Sequence, residues 1–152
     1  MGDFVIRNRL RSLRENACKD QAYIATKIGV ARNTYTEYET GATPPPVKAL
    51  CKIALLYNVS LEYLIGRTIN KIPYGVMREY NKDTLRRNVK IIRNNLNFTK
   101  EELAKIITCH TRTISRYETG DSNVPLDYII KLADISHIPI DYIVGIVVSK
   151  ED

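Results

Sequence analysis

The tetrapeptide Tyr-Glu-Thr-Gly occurs twice, at residues 38–41 and 117–120, and a shift of 79 positions brings the sequence around it into register without a gap. Under that shift Arg14 meets Arg93, Ala25 meets Ala104, Thr34 meets Thr113, Pro46 meets Pro125, Ala54 meets Ala133, Tyr63 meets Tyr142 and Gly66 meets Gly145. Apolar character persists where identity fails, as in Ile6/Leu85, Leu10/Val89, Leu13/Ile92, Ile24/Leu103 and Leu50/Ile129. An internal repeat of this kind dictates architecture before any local propensity does, and it implies one fold made twice. The expected organisation is a first domain over 1–67, a linker over 68–83 and a second domain over 84–152.

With 152 residues, 44% apolar and 26% charged, the chain has the composition of a globular protein with two small cores. Domains this short bury only about 60% of the surface their unfolded chain exposes, so each core is marginal. The net charge of +6 suits a polyanionic partner. Residues 1–67 carry 10 Lys/Arg against 6 Asp/Glu, and residues 84–152 carry 10 against 9, which makes the first repeat the more basic. Cys18, Cys51 and Cys109 form an odd set without short pairing and without a signal peptide ahead of them, which fits a reducing, cytoplasmic setting. No Cys/His spacing resembles a structural metal site, so neither metal nor cofactor is expected. No stretch approaches the roughly 18–20 apolar residues that span a bilayer, so no membrane partner is expected; the run 143–148 reads as a packed tail or interface strand.

Helical periodicity dominates both copies. Ile6, Leu10 and Leu13 share one face of an opening helix, with Arg7, Arg9 and Arg11 on its wet side, and Leu85, Val89 and Ile92 repeat the pattern. A second short helix starts near Asp20 or Thr99, where Thr99 and Glu102 spell a capping box. Gly29 then precedes a third helix over 32–39, so a short helix, a tight turn and another short helix follow one another. Pro46 and Pro125 suit the first turn of a fourth helix, and Ser60 and Pro139 open a fifth that Gly66 and Gly145 close. The expectation is all-α, five helices per copy with no clear strand, joined by a linker that Pro73, Tyr74 and Gly75 mark as a turn.

The stretches 21–25, 34–41 and 59–66, with 99–104, 113–120 and 124–133 in the second copy, resemble the Cro/CI or xenobiotic-response-element type of helix-turn-helix regulator. That resemblance implies two tandem five-helix, lambda-repressor-like DNA-binding domains. It places Ala25 and Ala104 where helices two and three cross. It also pairs Arg14 with Glu39 and Arg93 with Glu118 as ties between helix one and the end of helix three. These pairs, with Tyr38 and Tyr117, are expected to hold the fold rather than to touch DNA.

In this family the N-terminal half of helix three enters the major groove and the start of helix two faces phosphate. Carried over by position, the resemblance assigns DNA contact to Arg32, Asn33, Thr34 and Glu37 in the first repeat and to Thr111, Arg112, Thr113 and Arg116 in the second. Arg suits guanine O6 and N7, Asn suits adenine N6 and N7, and Glu accepts from cytosine N4, so the two repeats would read different half-sites. Gln21 takes the phosphate-facing position in the first copy and Lys100 takes it in the second. Paired on one DNA face, the recognition helices would stand about 34 Å apart; if they point elsewhere, a homodimer must supply that geometry.

Three departures from the family pattern matter. Thr108 stands where the first copy has its turn glycine, so the second turn is either strained or rebuilt. Ala31 and His110 occupy the cap of helix three, where Ser or Thr is usual. Glu37 would repel phosphate unless it meets a cytosine or pairs with Arg32 or Arg11. One repeat could thus have drifted from reading DNA toward packing.

The leading reading is a sequence-specific regulator that binds double-stranded DNA and represses by occluding its operator. The rival from another class is a protein-interaction module on a repressor-like scaffold, as in an antitoxin. Steep salt dependence separates DNA binding from an apolar partner surface. An enzyme is not expected: there is no Ser/His/Asp set and no phosphate-cradling glycine loop, and the two histidines are His110 and His137.

Overall fold

The computed structural model describes residues 2–149, and side-chain environments from Val5 onward. Its compact units divide between Glu79 and Tyr80. The first holds α1 (Gly2–Asn16), α2 (Gln21–Ile28), α3 (Arg32–Thr40), α4 (Val47–Tyr57) and α5 (Leu61–Leu64), followed by a two-residue strand β1 (Val76–Met77). The second holds α6 (Lys82–Asn95), α7 (Lys100–Ile107), α8 (Thr111–Thr119), α9 (Leu126–Ser136) and α10 (Ile140–Val144), then β2 (Val147–Val148). The five-helix expectation holds for each unit, and the two short strands are an addition to it.

Helix α6 begins at Lys82, because the Asn81 side chain accepts from the backbone N–H groups of Asp83 and Thr84 and so caps it. One position differs from the sequence expectation. Pro46 and Pro125 lie at N-cap positions with extended backbone, rather than inside the first turn. The start of the linker is also tied down: the Ser60 N–H donates to Lys71 O at 2.9 Å, and Arg9 donates to Thr68 O at 2.9 Å.

Each core forms where the periodicity places it. Leu10, Ile24, Tyr35, Leu50, Ile53 and Leu64 are fully buried in the first unit, and Leu85, Val89, Leu103, Ile114, Ile129 and Ile143 in the second. The cores differ by an exchange of bulk. The first unit has Tyr35 and Ala49 where the second has Ile114 and Tyr128, and each buried tyrosine stands beside its unit's Arg–Glu pair. Such volume-conserving exchange is the kind of core change that folds tolerate. Burial pushes both phenols well above the usual tyrosine range, and pushes that of Tyr57 up to about 12.

The backbone is duplicated even where the residue is not. The described residues with positive φ pair off across the 79-residue shift: Cys18 with Asn97, Gly29 with Thr108, Gly41 with Gly120, Asn58 with His137 and Gly66 with Gly145. Thr108, at φ 58° and ψ 58°, copies the left-handed turn of Gly29 at φ 75° and ψ 35°. The bond that closes the turn is also copied, from the Val30 N–H to Ala25 O and from the Cys109 N–H to Ala104 O, both 3.0 Å. The second turn is therefore strained rather than rebuilt. Gly66 and Gly145 are needed for space as well, since a Cβ would stand 2.7 Å from Val5 Cγ1 in one unit and 2.6 Å from Thr84 Cγ2 in the other.

Candidate nucleic-acid interface

Helix three of each unit is held from behind by an ion pair. Arg14 Nε and Nη2 donate to Glu39 Oε1 and Oε2 at 2.5 and 3.1 Å, while Arg93 donates to Glu118 in the same fork at 2.6 and 3.0 Å. Each arginine also reaches the loop after its own helix, Arg14 to Lys19 O at 3.0 Å and Arg93 to Phe98 O at 2.8 Å. A forked pair of this kind sets helix three at a defined angle, because a planar guanidinium meets a carboxylate in one orientation. Burial alone would raise the Glu39 carboxyl, but hydrogen bonds from Arg14 and Gln21 outweigh it and hold it below the usual carboxylate range.

The two units wire the start of helix two differently. Gln21 is half-buried; its amide donates to Glu39 Oε2 at 3.0 Å and its carbonyl accepts from the Thr36 hydroxyl at 2.8 Å. It therefore links the buried pair to helix three and keeps one N–H in reserve. Lys100, also half-buried, has no such link among the described residues. Helix α7 opens instead on its capping box, with Glu102 turned back onto the Thr99 N–H at 2.8 Å.

On the outer face, Arg32, Asn33 and Glu37 are exposed and Thr34 is half-buried; in the second unit Arg112 and Arg116 are exposed and Thr111 and Thr113 are half-buried. Asn33 and Glu37 sit one turn apart, at the positions that Arg112 and Arg116 occupy in α8. Glu37 pairs with neither Arg32 nor Arg11: it accepts from the Thr43 hydroxyl at 2.7 Å, and Arg11 is bonded to Glu15. No described residue engages the side chains of Arg32, Arg112 or Arg116. Ala31 and His110 cap their helices without a side-chain bond. Tyr38 is buried against Tyr35, and half-buried Tyr117 packs edge-on against Tyr128.

Further supports lay outside the sequence expectation. Lys52 donates to Ile28 O at 3.1 Å and Lys131 to Ile107 O at 3.2 Å, each covering a last carbonyl of helix two from helix four. Arg7 and Arg86 reach the end of helix three, at Thr40 O and Glu118 O. These residues are identical across the 79-residue shift, which is the signal that could have found them; Thr43, whose counterpart is Ser122, offered only a shared hydroxyl.

A family profile described as helix-turn-helix matches the chain twice, over residues 10–64 and 89–143, and both matches contain the helix pair just described. The chain belongs to the helix-turn-helix family. Among similar helix-turn-helix proteins is YobD of Bacillus subtilis, an uncharacterized transcriptional regulator, 38% identical over 65 residues, which are 43% of this chain and 58% of that one. The cryptic phage CTXphi transcriptional repressor RstR of Vibrio cholerae is 37% identical over 62 residues, 41% of this chain and 55% of its own. The transcriptional regulator AnsR of Bacillus subtilis is 34% identical over 64 residues, 42% of this chain and 55% of its own. Each alignment is about one repeat long, and the chain spans little more than half the length of these curated relatives. No solved structure matches the chain at the same stringency. Among the described residues no helix is long and apolar enough to cross a membrane.

Proposed function

We propose that the chain is a sequence-specific DNA-binding transcriptional regulator that represses by occluding its operator. The observation that carries this reading is the segregation within helix three: Glu39 and Glu118 are buried in forked ion pairs, while Arg32, Asn33, Glu37, Arg112 and Arg116 are left on the open face. A scaffold pair holds the helix and a polar face stays free to meet base edges. In this reading Thr34, Thr111 and Thr113 contribute hydroxyl contacts at the first turn. Lys100 and the unspent N–H of Gln21 meet phosphate, which positions the protein without reading sequence. The relatives' names, which include a phage repressor, support regulation of transcription.

Selection of bound sequences from a random duplex pool tests the proposal. It should return an enriched site whose affinity falls steeply as salt rises, because phosphate contacts release counterions. A second reading, a protein-interaction module, rests on the exposed apolar residues Ile69, Ile72 and Tyr74 at 90%, 71% and 65% exposure. Failure to enrich any duplex, together with salt-insensitive binding to a protein partner, would favour it.

A further inference from the structure

We infer that the second repeat is the principal DNA-contacting unit and that Arg112 and Arg116 read a guanine-bearing half-site; this rests on the DNA-binding reading above. Two considerations oppose each other in the sequence. Recognition-helix charge favours the second repeat, while the intact Gly29 turn and Gln21 favour the first. The structure removes the weight of the latter. Thr108 holds the same left-handed turn as Gly29, closed by the same hydrogen bond, so α8 is presented as α3 is. Gln21 has already committed its carbonyl to Thr36 and one N–H to Glu39, so it acts chiefly as a positioning residue for α3.

The open faces then differ in what they offer DNA. Arg112 and Arg116 stand one turn apart, exposed and unengaged, because the buried Glu118 is satisfied by Arg93 and draws neither of them inward. Two free guanidinium forks four residues apart can meet O6 and N7 of neighbouring guanines. The first repeat has Asn33 and Glu37 at these positions, and the Thr43 hydroxyl restrains the Glu37 carboxylate beside the recognition face. Gln21, Arg32, Asn33 and Glu37 sum to no net charge, whereas Lys100, Thr111, Arg112 and Arg116 sum to +3. Glu101 and Glu102 oppose this at the start of α7, Glu102 while turned back onto the Thr99 N–H; with both counted the second set is still positive, at +1.

The test uses the full chain and the duplex that the wild-type protein selects. The double variant Arg112→Ala with Arg116→Ala should lose about 30-fold or more in affinity, and Asn33→Ala with Glu37→Gln should lose affinity too, but by a factor at least about 5-fold smaller. Both pairs are exposed, and unchanged thermal midpoints establish that folding is not the cause. Arg116→Lys should keep the salt slope while weakening the preference for guanine at one position, since a lysine retains the charge but not the planar fork. Equal losses from the two double variants, a larger loss from the Asn33/Glu37 pair, or a guanine-free selected site would each overturn the assignment. Failure of the wild-type chain to select any duplex would overturn the DNA-binding reading itself, and the two failures are thereby distinct.

Discussion

Thr108 shows how much one position can be made to bear. A β-branched residue in the left-handed region costs about 1–3 kcal/mol, yet the chain adopts φ 58° there, in a turn flanked by the buried Ile107 and Ile114. Thr108→Gly should therefore raise stability by about 1 kcal/mol, and Gly29→Thr should lower it by a similar amount, both read as shifts in denaturant midpoint. Glu39 gives a pH test. Its folded-state carboxyl lies below the usual range, so its contribution is complete above the unfolded value of about 4.3 and is lost as pH falls through the lower folded value. Glu39→Gln should flatten the fall of stability in that acid window and cost about 1–3 kcal/mol at neutral pH. A stability profile with an unchanged acid slope would mean that Glu39 does not supply it.

At the scale of the element, helix three of each unit starts without a side-chain cap, as do α4, α9 and α10 at Pro46, Pro125 and Pro139. Helices α2, α5, α6 and α7 carry side-chain caps from Asp20, Ser60, Asn81 and Thr99, whereas α3 and α8 begin at Ala31 and His110 with none. Their orientation comes from tertiary clamps instead: the forked Arg–Glu pair, and Arg7 or Arg86 at the far end. Ala31→Ser and His110→Ser should each stabilise by about 1 kcal/mol by satisfying a free backbone N–H, measurable as a raised thermal midpoint. An uncapped start also leaves those N–H groups open toward an anion, so in the DNA-binding reading the same substitutions should weaken affinity for all sequences alike. A gain in stability with unaltered affinity would show that the helix start does not meet phosphate.

At the scale of the whole molecule, the two repeats share a backbone and differ in what they display. A chain that uses both should select a non-palindromic site, with guanine concentrated in the half that α8 reads. A perfectly palindromic site would mean that one repeat type does the reading and that two chains supply it twice. The amino-acid sequence by itself determined the duplication, the five helices per copy, the buried Arg14–Glu39 and Arg93–Glu118 pairs and the open polar faces. The duplication and the helices follow from periodicity and from side-chain identity repeated at a constant shift, while the ion pairs and the open faces were implied by the resemblance to the helix-turn-helix regulators. Only the tertiary structure decided the state of the second turn, the engagement of Gln21 with Thr36 and Glu39, and the capture of Glu37 by Thr43. Those outcomes depend on which side chains from separate segments come within about 3 Å of one another. Residue type sets what a group can bond, but packing sets which partner it meets, and the turn at Thr108 keeps its left-handed form between two buried segments.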